Sequence, residues 1–190
     1  DNYKEENGMK YHTYPSLKSE ADRQSLWDGI VNNGLSTMAT DEYCTSWETK
    51  ISGRTVSDVT GGHNGAEARM GVTYSEGVSR RGMSLQRFVD VSSANAAKIM
   101  GLYPRKGVLA PGSDADITLI DTNFKRKLTM DDFHITDYSI WEGFEADGWP
   151  VTTILRGNVV VENREFKAAP GSGQFIPRKV DAAVTNRPIA

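Results

Sequence analysis

Asp41 closes a short run of alternating apolar residues, Leu35-Ser36-Thr37-Met38-Ala39-Thr40, and opens the polar loop Asp41-Glu42-Tyr43-Cys44-Thr45-Ser46. A carboxylate at the tip of a buried strand can orient a water molecule, take its proton and pass that proton to a leaving group. The blander reading is that Asp41 caps the next turn, as most loop aspartates do. Asn64 sits in Gly62-His63-Asn64-Gly65 at the start of an expected helix, where free backbone groups can hydrogen-bond a ligand. An asparagine there would equally suit the left-handed geometry of a turn. His12, His63 and His134 fall at none of the short spacings that zinc ligands use on one element, so each reads as a structural residue, with His12 and His63 near the presumed site face. Cys44 has no basic neighbour in sequence to lower its pKa, which argues against a nucleophilic thiol. Asp114-Ala115-Asp116 follows Gly112 without a third acid at loop spacing and reads as a turn rather than a metal loop.

The elements that must position these residues can be read from pattern. Residues 10–14 are β-prone and stopped by Pro15. Ser19 followed by Asp22 is an acidic variant of the capping box, and Leu26, Trp27, Ile30 and Val31 then share a helical face that Gly34 ends. With a strand over 35–40 this makes a strand–helix–strand unit, the building block of parallel α/β folds. Helices are expected over about 66–78, from Ser84 onward with Leu85, Phe88 and Val89 buried, and over about 94–100 with Gly101 as a stop. From Asp116 the apolar period becomes two, giving strands at Ile117 and Leu119, at 152–156 and at 159–162, the last two joined around Gly157-Asn158. Trp141, Phe144 and Trp149 read as packing residues. Beyond Phe166 the glycines and prolines predict an extended tail.

A chain of 190 residues with 38% hydrophobic and 25% charged residues suits a folded protein rather than a disordered one. The formal net charge of -3 argues against an electrostatically driven nucleic-acid or membrane partner. One cysteine excludes an internal disulfide and a cysteine zinc cluster. No apolar stretch approaches a membrane span. The sequence opens Asp1-Asn2-Tyr3-Lys4, with neither an initiator Met nor a signal pattern, as expected of an engineered start, of a cleaved product or of a segment whose upstream part is missing.

Several motifs fall in a fixed order: Asp41 after its apolar run, Gly61-Gly62-His63-Asn64-Gly65-Ala66-Glu67-Ala68-Arg69-Met70, Asn95-Ala96-Ala97-Lys98-Ile99-Met100-Gly101-Leu102-Tyr103-Pro104-Arg105-Lys106-Gly107, and Gly112-Ser113-Asp114-Ala115-Asp116-Ile117. In that order they resemble the C-terminal part of the dihydropyrimidinase and D-hydantoinase family of cyclic amidohydrolases, over about residues 8–179. The resemblance implies an α/β fold in three parts. Residues 1–109 would be the C-terminal part of a (β/α)8 barrel, 110–166 a small β-sandwich portion and 167–190 an extended arm.

It also implies a metal-dependent hydrolase that opens hydantoin or dihydropyrimidine rings by metal-hydroxide attack, with a binuclear zinc centre whose other ligands lie outside this chain. Asp41 would be both metal ligand and catalytic proton shuttle, at the end of the eighth barrel strand. Asn64 would offer its main chain to the substrate ring, and Tyr14 aligns with a second substrate contact that is a serine in the family. Two departures stand out. Family members commonly have Asp-His-Cys-Pro where this chain has Asp41-Glu42-Tyr43-Cys44, and Tyr14 adds bulk at the pocket. The implied partners are a small cyclic amide, the remainder of the polypeptide and further copies in a homo-oligomer in the cytoplasm, with no nucleic acid and no membrane. A lone Asp41 cannot hold catalytic zinc, so the segment by itself is expected to be inactive. The alternatives are a non-catalytic dihydropyrimidinase-related scaffold that has lost its metal ligands, and a module that serves only in assembly.

Overall fold

The computed structural model describes residues 2–55, 57–134 and 137–186; Pro188, read as part of the tail, lies outside them. Ser19 starts helix α1 (Glu20–Val31) with a complete capping box: its hydroxyl accepts the Asp22 N–H at 3.2 Å, and the Asp22 carboxylate accepts the Ser19 N–H at 3.0 Å. The end of α1 is closed by the N–H groups of Gly34 and Leu35, which both donate to the Gly29 carbonyl. Of the expected apolar face, Ile30 is buried and Trp27 and Val31 pack beside it, whereas Leu26 lies at the stripe's edge and is 56% exposed.

Neither the strand expected over 10–14 nor the one over 35–40 forms. The first gives a 3-10 turn, Gly8–Tyr11, followed by irregular chain, and residues 36–40 carry no regular structure. A β-prone pattern needs a ladder partner to satisfy alternate backbone groups, and no described segment pairs with either stretch.

A short helix α2 (Trp47–Lys50), capped by Ser46, follows the Asp41 loop. Helix α3 (Arg69–Thr73) continues without a break into π-type turns over Tyr74–Arg80. The two helices expected from Ser84 to about 100 are one continuous run: α4 (Leu85–Val89), π-type turns over Asp90–Ala94, and α5 (Asn95–Ile99). The Ser84 hydroxyl caps it at 3.1 Å from the Arg87 N–H, and Gly101, at φ +69, ends it. Phe88 is buried as expected, but Leu85 and Val89 are exposed.

The rest is an antiparallel meander of β1 (Ile117–Lys127), β2 (Glu145–Leu155), β3 (Asn158–Glu162) and β4 (Glu165–Phe166), in that order across the sheet. β1 and β2 are longer than their apolar alternation suggested. The hairpin turn lies one residue earlier than expected, at Arg156-Gly157, with φ of +48 and +80, while Asn158 already pairs with Leu155. A two-residue turn of this hand needs positive φ at both positions. Arg156 tolerates it because the Asp116 carboxylate accepts its N–H at 2.9 Å.

Two apolar clusters join helices to sheet. One gathers Ile30, Tyr74, Met83, Phe88 and Val91; the other gathers Ala68, Leu128, Phe133, Ala146 and Trp149. The seam is close enough to need glycine on both sides. A Cβ on Gly71 would lie 2.2 Å from the Trp149 ring, and one on Gly148 the same distance from the Tyr74 ring. The resulting architecture is a mixed α/β one, helices packed on a four-stranded antiparallel sheet.

Candidate functional site

The 35–40 segment that carries Asp41 is held by side chains instead of a ladder. Arg87 donates to the carbonyls of Ile30, at 2.6 Å, and Leu35. Asn95 Nδ2 donates to the Ser36 carbonyl at 3.0 Å, Arg69 reaches the Met38 carbonyl at 3.3 Å, and the Met38 N–H donates to the Val91 carbonyl at 3.0 Å. Arg87 and Asn95 are themselves buried, so the helical run 85–99 fixes this segment from one side. Asp41 emerges from it exposed, with φ +46. That left-handed backbone turns the chain sharply and sends residues 42–44 toward the Asn64 loop.

Glu42 makes the connection. Its Oε2 accepts the N–H of Gly65 at 2.5 Å and also that of Ala66. These are free backbone donors ahead of α3, and a carboxylate is the group they bind best. On the same side the Tyr43 backbone passes so close to Gly62 (φ +95) that a Cβ there would lie 2.4 Å from the Tyr43 carbonyl oxygen. Glu42 is therefore the tether between the Asp41 loop and the Asn64 loop.

Asn64 is buried, 2% exposed, and both ends of its side-chain amide meet the loop before β2. Nδ2 donates to Ser139 Oγ at 2.9 Å, Oδ1 faces the Ile140 N–H at 3.4 Å, and the Asn64 carbonyl accepts the Trp141 indole N–H at 2.8 Å. Trp141, expected only to pack, is also a hydrogen-bond anchor. Tyr14 lies 58% exposed, its ring edge-on to His12 at 4.9 Å and against Gly61, where a Cβ would come within 2.2 Å of it. The structure thus brings the loops of Asp41, Asn64 and Tyr14 together. His134, by contrast, pairs with Glu67, and Asp114 and Asp116 pair with Lys106.

Sequence reasoning missed Lys50. It is wholly buried, and its ammonium donates to the carbonyls of His12 at 2.5 Å, Thr60 at 3.0 Å and Gly62. Burial pushes its pKa down to about 8, so it still carries its charge at neutral pH. Burial first, and then the Lys50 charge, lowers the pKa of both His12 and His63. His12 Nε2 and His63 Nδ1 are buried without a hydrogen-bond partner among the described residues. Both imidazoles are therefore neutral at pH 7 and line the region as polar but uncharged surfaces.

Among the described residues no group of three or more His, Cys, Asp or Glu side chains could hold a metal ion. Structural and catalytic zinc take three or four protein ligands, so the described side chains do not by themselves supply a full zinc ligand set. What the arrangement offers is an exposed carboxylate, Asp41, beside a wall whose centre, Asn64, is buried and hydrogen-bonded.

The chain matches the model of the amidohydrolase family over residues 5–160. It is 38% identical over 181 residues to D-phenylhydantoinase of Escherichia coli O1:K1 / APEC, covering 93% of this chain and 39% of the relative. Among solved structures, D-hydantoinase (dihydropyrimidinase) from Thermus sp. superposes with a TM-score of 0.86 at 35% identity, over 90% of this chain and 38% of that one. L-hydantoinase (dihydropyrimidinase) from Arthrobacter aurescens gives 0.81 at 33% identity, over 89% and 38%. The chain belongs to the amidohydrolase family, on its dihydropyrimidinase and hydantoinase side. It spans about two fifths of the length of these relatives.

Proposed function

We propose that this segment is the carboxylate-bearing part of an enzyme that hydrolyses cyclic amides, hydantoins or dihydropyrimidines. The observation that carries the reading is Asp41, presented at a sharp turn and tethered through Glu42 to the buried Asn64 loop, within a chain that matches hydantoinases over nine tenths of its length. In the complete protein, residues 1–109 would close a (β/α)8 barrel, 110–166 would contribute to a β-sandwich and 167–190 would form an arm used in a homo-oligomer. The zinc that the family resemblance implies would need its ligands chiefly from outside this chain, and zinc chemistry supplies a nucleophilic water at neutral pH. The part of these residues is distinct. Asp41 orients the attacking water and moves a proton to the departing ring nitrogen. The main chain at Asn64, backed by Ser139 and Trp141, and the Tyr14 ring form the wall against which the planar ring lies.

The test is ring opening of hydantoin and dihydrouracil by the complete polypeptide, with and without Asp41→Ala. Loss of an acid–base group predicts a fall in turnover of about a hundredfold or more. A wild-type protein that opens neither ring favours the scaffold reading, and a variant as fast as wild type removes Asp41 from the chemistry.

A further inference from the structure

We propose that Lys50 is a positioning residue whose ammonium locks the Tyr14 and Asn64 loops into a single substrate-facing wall. This rests on the reading of those two loops as the substrate's contacts. The argument begins with cost. A fully buried ammonium is expensive to desolvate, and an apolar side chain of the same length would fill the space without that penalty. Lys50 is 0% exposed, and among the described residues its hydrogen bonds run to three carbonyl oxygens and to no carboxylate. An ammonium has three protons, and three carbonyls converge on it, so the donor set is saturated.

The three acceptors come from two separate stretches of chain. His12 lies two residues before Tyr14; Thr60 and Gly62 run into Asn64. The same two stretches touch directly, because the Gly62 N–H donates to the His12 carbonyl at 3.1 Å. Lys50 adds three bonds to that one and ties both stretches to the end of α2. A charged donor binds carbonyls more strongly than a neutral one does, which favours lysine over a neutral donor at this point. No strand ladder does the job here: residues 10–14 and 60–65 have no regular structure beyond the turn at Gly8–Tyr11. Without Lys50 the two stretches would lose its three bonds and keep the Gly62–His12 backbone bond, while the Asn64 loop would keep its bonds to Ser139 and Trp141 and the Glu42 tether.

The experiment uses the complete polypeptide, with Lys50→Met, Lys50→Gln and Lys50→Arg. Substrate binding should suffer more than chemistry, since the segment leading to Asp41 is held from the other side, at Leu35 and Ser36, by Arg87 and Asn95. The expected result for Lys50→Met is a KM for the cyclic amide raised about tenfold or more with kcat within about threefold, the pattern of lost positioning in the bound state. The Gly62 amide should exchange at least about tenfold faster, while amides of β1 and β2 keep their protection. Lys50→Arg, which keeps the charge and the donors, should recover most of the KM; a purely space-filling role would instead be rescued by methionine. If Lys50→Met does not fold, Lys50→Gln carries the test, and a KM and Gly62 exchange within about twofold of wild type overturn the proposal. Should the wild-type protein open no cyclic amide, the functional reading fails by itself. Gly62 exchange then decides for Lys50 alone, and unchanged protection in Lys50→Gln overturns the lock.

Discussion

Asn64→Ala in the complete polypeptide removes both polar ends of a buried side chain while leaving the Asn64 main chain in place. Asn64 and Ser139 are each 2% exposed, so water cannot step in for the lost groups without local opening. The Ile140 N–H loses the acceptor it faces at 3.4 Å, a long and therefore weak bond. Ser139 Oγ loses the Nδ2 donor at 2.9 Å but still accepts the Trp141 N–H at 3.0 Å, so it is only half orphaned. An unsatisfied buried group costs about 1–3 kcal/mol, which puts the combined loss at roughly 2–4 kcal/mol. At about 1.4 kcal/mol per tenfold, the open form of the 139–141 loop should become about thirtyfold to several hundredfold more populated. Native-state hydrogen exchange at the Ile140 and Trp141 amides reads that population directly, with the β2 amides as an internal reference. Protection within about threefold of wild type at both amides would mean that the Asn64 side chain does not hold this loop, and the account of the buried wall would fall with it.

How much of this was legible in the sequence depends on how far apart the interacting residues lie. The start of α1 was readable because Ser19 and Asp22 are three residues apart, and the end of α5 because Gly101 takes a conformation few other residues accept. The sheet was readable from its period of two. Its first turn was misplaced by one residue, since Arg156-Gly157 and Gly157-Asn158 share the glycine, and what settles the choice is a bond from Asp116, 40 residues away. The 35–40 pattern did mark a segment that must be fixed in place, but the fixing comes from Arg87, Asn95 and Arg69 on the helices, not from strand partners.

The site divides in the same way. Asp41, Asn64 and Tyr14 were picked out as candidates because short motifs carry them. Glu42, Lys50 and Trp141 were not, because their partners lie 23, up to 38 and 77 residues away, and nothing local marks a glutamate as a tether or a lysine as buried. Sequence gives a poor prior for a wholly buried lysine, since lysine is among the residues least often found inside.

Two further predictions concern the segment as a whole. Residues 1–190 alone should bind no stoichiometric zinc and open no hydantoin ring, because the described side chains offer no three-ligand cluster; elemental analysis finding about two tightly bound zinc ions per pure chain would contradict this. The arm makes the second prediction. It is pinned to its own chain where Arg156 donates to the Ser172 carbonyl at 2.7 Å and where the Lys179 N–H donates to the Gly101 carbonyl at 2.9 Å, and these anchors leave Phe175 between them 92% exposed. A phenylalanine ring gains about 1.5–3 kcal/mol when buried, and nothing among the described residues covers it, so a neighbouring protomer is the expected acceptor. Truncation after Phe166 in the complete protein should then give a smaller species by light scattering with the secondary structure retained, whereas an unchanged oligomer would show that the arm plays no part in assembly.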